Sequence, residues 1–165
     1  RQALPRELPY KDAVYNVSRV GLLPAAMNPV VLAQAAQQGK SGVAAAPAQD
    51  ADTCACSGGT RESAFADELA AAQAQSNALL FTATQDKLHQ PYRGALMPPS
   101  TELIALFRSK GYAAAVSGAG PCVLVLHYGN AREAIDQIAS EQLASGHWRV
   151  LHLPINTAGV EIERR

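Results

Sequence analysis

Three segments of this 165-residue chain bring together side chains that can grip or stabilise charge. In Asp12-Ala13-Val14-Tyr15-Asn16-Val17-Ser18-Arg19 the polar residues Asp12, Asn16 and Arg19 stand at steps of four and three, so on a helix they share one face. His89-Gln90-Pro91-Tyr92-Arg93 delivers an imidazole and a guanidinium four residues apart, and the planar fork of an arginine suits a carboxylate or a phosphate. Ser117-Gly118-Ala119-Gly120-Pro121 sets two glycines around one residue, which lets backbone N–H groups approach an anion or a neighbouring loop closely. Each segment also has a plainer reading. The first can be a solvated polar stripe, the second a surface ion pair beside a capped helix, the third a tight turn between strands. Spacing alone does not choose between them.

Other patterns carry less. Gly39-Lys40-Ser41 copies the end of a phosphate-binding loop, but Gln34 stands where the first glycine of that loop belongs and no apolar strand precedes it. Cys54 and Cys56 lack the further ligands zinc requires nearby, and His127, His147 and His152 follow no shared pattern, so no metal site is assigned. No Ser-His-Asp set, Cys-His pair or spaced carboxylate pair emerges, which places hydrolase chemistry behind and leaves the catalytic residue unknown.

The elements that position these segments follow from periodicity. Ala13, Val14, Val17, Val20 and Leu22 or Leu23 predict a helix over 10–27, broken at Asn28-Pro29, with a shorter helix over 30–38 ending at Gly39. Residues 39–60 hold hardly a bulky side chain and read as a flexible insertion. A helix after Arg61 runs through Leu69, Leu80 and Leu88 until Pro91 stops it, and another opens at Pro98-Pro99 with Ser100 or Thr101 as its cap and Gly111 at its end. Strands over 112–116 and 122–127 flank the glycine segment; a helix over 131–143 closes at Gly146, and strands over 148–153 and 159–162 complete the order. Helices followed by β-β-α-β-β make one α+β layered domain.

Composition narrows the partners. With 14 basic and 14 acidic residues the chain lacks the basic footprint of a nucleic-acid binder. Its apolar runs fall far short of the roughly 20 residues that cross a bilayer, so no membrane partner is expected. An odd set of three cysteines fits a reducing, cytoplasmic compartment. The absence of an initiating Met or a signal-peptide pattern at Arg1 leads to the expectation of a chain that starts within a longer protein.

Taken in order, Leu4-Pro5, then residues 12–19, then Leu88-His89-Gln90-Pro91-Tyr92-Arg93, then residues 117–121, resemble homoserine kinase. The glycine segment resembles the third motif of the wider superfamily of galactokinase, homoserine kinase, mevalonate kinase and phosphomevalonate kinase (GHMP). The likeness covers most of the chain apart from 39–60. It implies the C-terminal domain of a GHMP kinase, a ferredoxin-like sandwich with helices on an antiparallel sheet. It implies transfer of the γ-phosphoryl of ATP, with Mg2+, to the hydroxyl of L-homoserine, and it is compatible with a homodimer.

By the same resemblance Arg19 and Arg93 grip the substrate carboxylate, Asn16 and His89 line the substrate beside them, and Ser117, Gly118, Ala119 and Gly120 support the phosphate loop. That loop, a Gly-Leu-Gly-Ser-Ser sequence, and the acidic magnesium ligand belong to the family's N-terminal half and are absent from this sequence. ATP and Mg2+ are therefore expected to be held mainly outside this chain, which alone should be inactive. Two alternatives stay open: another GHMP kinase, acting on mevalonate or a diphosphocytidyl methylerythritol, or a ferredoxin-like amino-acid-binding module.

Overall fold

The computed structural model describes residues 3–28, 61–153 and 162. The expected helix over 30–38, the insertion over 39–60 and all of the strand over 159–162 except Ile162 lie outside them. The described elements are α1 (Tyr10–Val20), α2 (Leu23–Ala26), α3 (Arg61–Ala83), α4 (Gln90–Arg93), a 3₁₀ turn (Gly94–Leu96), α5 (Pro98–Ser109), β1 (Ala113–Val116), β2 (Val123–Leu126), α6 (Arg132–Ile138) and α7 (Ser140–Ala144). They fall into two units, Arg1–Gly129 and Asn130–Arg165.

In the first unit, the single helix expected over 10–27 is two helices. Pro24 explains the break: in a continuous helix it would leave the carbonyl of Val20 without a donor, whereas in the first turn of α2 its missing N–H is harmless. The chain turns at Gly21 and Leu22, whose N–H groups still reach Val17 and Arg19 carbonyls. The apolar stripe of α1 faces outward, with Val14, Val17 and Val20 exposed, while Tyr15, Asn16 and Arg19 are half-buried. Periodicity marks the helix, but its polar side is the one packed inward.

Helix α2 lies against α3, and Ala26, Leu80 and Ala113 form a buried centre around which Leu23, Leu79, Phe81, Leu126 and Tyr128 pack. Burial of a side chain such as Leu80 contributes on the order of 2 kcal/mol. Helix α3 ends at Ala83, short of the expected stop at Pro91; the Thr84 hydroxyl donates to the Leu80 carbonyl at 2.8 Å, which also accepts the Thr84 N–H at 3.0 Å. Pro91 lies in the first turn of α4 and so starts a helix.

Helix α5 opens at Pro98 as expected, but its cap lies three residues before Ser100, the earlier of the two expected cap positions. Met97 is its N-cap, Pro98 and Pro99 fill its first turn, and the hydroxyls proposed as caps are used elsewhere: Ser100 Oγ donates to the Pro121 carbonyl at 2.6 Å, and Thr101 Oγ1 to that of Gly94 at 3.2 Å. Gly111, at φ +85°, follows the helix end as expected. Strands β1 and β2 pair antiparallel, from Ala113 opposite Leu126 to Val116 opposite Val123, and both α3 and α5 pack on β1. Leu103 and Phe107 are the buried apolar residues of α5.

In the second unit the helix over 131–143 is divided at the buried Ala139, at φ −90° and ψ 9°, with no Gly or Pro to mark the division. The expected strand over 148–153 does not form. Alternating apolar residues make a strand only where a neighbouring edge offers its hydrogen bonds, and here Leu151 and Leu153 are exposed while His152 Nε2 meets Asp136 Oδ2 at 3.0 Å. Among the described residues the sheet therefore has two strands, with helices packed against it, and the fold is α+β. No described helix is long and apolar enough to cross a membrane.

Candidate functional site

The turn from α3 to α4 is organised by one carboxylate. Asp86 Oδ1 accepts from Asn16 Nδ2 at 2.6 Å, from the Leu88 N–H at 2.8 Å and from the His89 N–H at 3.2 Å. Its Oδ2 accepts from the His89 N–H at 3.0 Å and the Gln90 N–H at 2.6 Å. The His89 and Gln90 N–H groups stand at the start of α4, where a helix leaves its donors unpaired. Asn16 completes a clasp across the two segments, because its Oδ1 accepts the Lys87 N–H at 2.9 Å.

Burial acts to raise the pKa of Asp86, yet the Asn16 amide and the N–H groups of Gln90, Leu88 and His89 together outweigh it and hold the carboxyl below its ordinary value. An ionised carboxylate with both oxygens engaged by donors is poorly suited to act as a base or a metal ligand. Among the described residues no group of three or more His, Cys, Asp or Glu could hold a metal ion. These residues therefore do not fit a magnesium site.

Two cations lie on the neighbouring ring. The Arg19 guanidinium carbon is 4.3 Å and the Lys87 ammonium 4.1 Å from the centre of the Tyr15 ring, whose hydroxyl donates to Gln85 Oε1. Arg19 Nε is buried without a hydrogen-bond partner among the described residues. Arg93 Nη1 is 3.0 Å from His89 Nε2; a guanidinium can only donate, so the imidazole nitrogen accepts. Neither Arg19 nor Arg93 is paired with a carboxylate among the described residues.

The glycine turn connects to this cluster through Gln90, whose Oε1 accepts the N–H of Val116 at 3.1 Å, the residue before Ser117. The turn itself is held by main chain: the Ser117 N–H reaches the Cys122 carbonyl at 2.8 Å, and the Gly120 N–H the Ser117 carbonyl at 3.1 Å. Gly118 at φ +59° and Gly120 at φ +82° occupy left-handed backbone that glycine adopts freely. A Cβ on Gly120 would lie 2.5 Å from Met97 Sδ and 3.2 Å from Val116 Cγ1. Ser117, Gly118 and Ala119 are exposed at the tip.

Beside the cluster is a cleft of about 340 Å³ lined by Tyr15, Asp86, Lys87, Gln90 and Arg108 among others. Arg108 serves the scaffold: Nη1 donates to Thr84 Oγ1 at 3.1 Å and the Ala114 carbonyl at 3.0 Å, and Nη2 to the Phe81 carbonyl at 2.7 Å. It thereby fixes the end of α3 to β1, and burial pulls its pKa down from the ordinary value.

Of the site residues expected from sequence, Asn16, His89 and Arg93 thus join one bonded network around Asp86. Arg19 stacks on Tyr15 beside it, whereas Ser117, Gly118, Ala119 and Gly120 only follow Val116, whose N–H donates to Gln90, and have no bond of their own to the network among the described residues. Arg19 and Arg93 make no contact with each other among the bonds described. Sequence reasoning missed Asp86, Gln90, Tyr15, Lys87 and Arg108. The one available signal was an acidic residue just ahead of Gln90-Pro91, visible only if Pro91 is taken as a helix start.

Residues 63–144 match the family described as GHMP kinases C terminal. Over 165 aligned residues, 99% of this chain and 37% of its relative, the sequence is 32% identical to a homoserine kinase of Clavibacter michiganensis subsp. michiganensis. A homoserine kinase of Leifsonia xyli subsp. xyli is 37% identical over 99% of this chain and 36% of its own length. That of Corynebacterium aurimucosum is 45% identical over 52% of this chain and 26% of its own length. This chain therefore spans little more than a third of the length of the first two relatives. The matched segment contains α4, α5, Asp86 and the glycine turn, and on these matches the chain belongs to the GHMP kinase family.

Proposed function

We propose that this chain forms the amino-acid side of a cytoplasmic homoserine kinase, which transfers the γ-phosphoryl of ATP to the side-chain hydroxyl of L-homoserine and so makes O-phosphohomoserine for threonine biosynthesis. The observation that carries this reading is that Arg19, stacked on Tyr15, and Arg93, bonded to His89, are both without a carboxylate partner among the described residues. A guanidinium meets a carboxylate with two parallel hydrogen bonds, so such a pair suits the α-carboxylate of an amino acid better than an uncharged alcohol.

Holding the carboxylate fixes where the substrate hydroxyl lies, and phosphoryl transfer depends chiefly on such positioning and on stabilising charge. Asn16 and His89 line the substrate beside the arginines, and the glycine turn supports the phosphate loop. ATP and magnesium would be held mainly by residues outside this chain, where the metal would neutralise phosphate charge; the chain alone is then inactive.

A coupled ADP-release assay with ATP, magnesium and L-homoserine tests this on the full-length protein and on residues 1–165 alone. Turnover in the full-length protein only is the expected result. A full-length protein that releases ADP with another alcohol and not with L-homoserine belongs to a different GHMP activity, and one that binds L-homoserine with no response to ATP is a binding module.

A further inference from the structure

Asp86 has no place among the substrate-binding residues above, yet it is the most heavily bonded side chain of the site. Its carboxylate takes N–H donors from three successive residues, Leu88, His89 and Gln90, and from Asn16 of α1. Those residues lead directly into His89 and Arg93, whose side chains meet at 3.0 Å. Asn16 stands three residues before Arg19 on the inward face of α1. One carboxylate thus bonds both segments that carry the two arginines, and Asn16 locks the connection by accepting from Lys87 at 2.9 Å.

We propose that Asp86 is a positioning residue for substrate recognition: bonded to Asn16 and to the backbone of residues 88–90, it sets the placement of the Arg93 guanidinium relative to Arg19, and thereby the fit of the site to an amino-acid carboxylate. The inference rests on the reading of Arg19 and Arg93 as carboxylate ligands. Asp86 does not touch the substrate. Without it the short helix α4 loses the anion at its start and the tie to α1, and both arginines remain but are no longer held at one spacing.

The test is steady-state kinetics of the full-length protein with L-homoserine and ATP varied separately, for the native sequence, Asp86→Ala and Asp86→Asn. Asp86→Ala should raise KM for L-homoserine about ten- to a hundredfold, the scale of a small misplacement of a binding group, with KM for ATP unchanged. Asp86→Asn keeps one acceptor oxygen and should fall between the two. If the native protein does not phosphorylate L-homoserine, the proposed function fails. If it does and Asp86→Ala leaves KM for L-homoserine unchanged, or lowers kcat with no selective change in that KM, the positioning role is overturned while the function stands. Should Asp86→Ala not fold, Asp86→Asn carries the same reading, and an unchanged KM for L-homoserine in it overturns the proposal.

Discussion

The turn entering α4 and the turn between β1 and β2 both serve the candidate site, but the first is held by a carboxylate and the second by main-chain geometry. Asp86 draws donors from α1 and from its own turn, whereas residues 117–121 rely on two backbone hydrogen bonds, two left-handed glycines and the buried Ser100 hydroxyl on the Pro121 carbonyl. A turn held by charge responds to pH and to loss of the charged group. One held by backbone conformation responds to an added Cβ and hardly to pH.

The largest effect is expected at Gly120. Gly120→Ala puts a side chain at φ +82° against Met97 and Val116 and should cost about 3 kcal/mol, read from urea denaturation. An unchanged midpoint would remove backbone conformation as the reason the turn holds. Asp86→Ala comes next, at about 2 kcal/mol, because it strips one side-chain and three backbone donors of their acceptor and water can replace only part of that loss. Gly118→Ala, at φ +59° with nothing within 4 Å of its Cβ, should cost only about 1 kcal/mol. Equal losses at the two glycines would mean that the space around Gly120 is irrelevant.

The smallest effect is the most selective. The Asp86 carboxyl lies below its ordinary value of 3.8 in the folded chain, so its contribution is complete above that value and is lost as pH falls through the folded pKa. The stability gap between the native protein and Asp86→Asn should therefore be constant near neutrality and close below about pH 4. For Gly120→Ala the gap should stay level over the same range, and a parallel decline in both would erase the distinction between the turns.

How much of this could be read in the sequence depends on what each residue reports. Glycines at left-handed positions report on their own backbone, so Gly111, Gly118 and Gly120 marked a helix end and a strand turn correctly. Proline is ambiguous, since it suits a helix start as well as it forbids a helix interior: Pro91, expected to stop a helix, starts one, and Pro24 starts α2 inside the span expected as a single helix. Periodicity along α1 gave a helix but not its orientation, because Val14 and Val17 differ from core residues only in what meets them. Asp86 is hard to read for a related reason: three of its four partners are backbone N–H groups, which leave no trace in residue type, so it shows only once Pro91 is taken as a helix start. The pairing that residues 148–153 would need is likewise a property of a neighbouring edge and cannot be seen within the segment.

The central claim is that Arg93, aimed by the Asp86 turn, grips a substrate carboxylate. Its most direct measurement compares kcat/KM of the full-length protein for L-homoserine and for L-homoserine amide, in the native sequence and in Arg93→Ala. A charged hydrogen bond of about 1.5–3 kcal/mol predicts a ten- to hundredfold preference for the acid that shrinks at least tenfold in Arg93→Ala. An undiminished preference in that variant would contradict the account and place the carboxylate elsewhere.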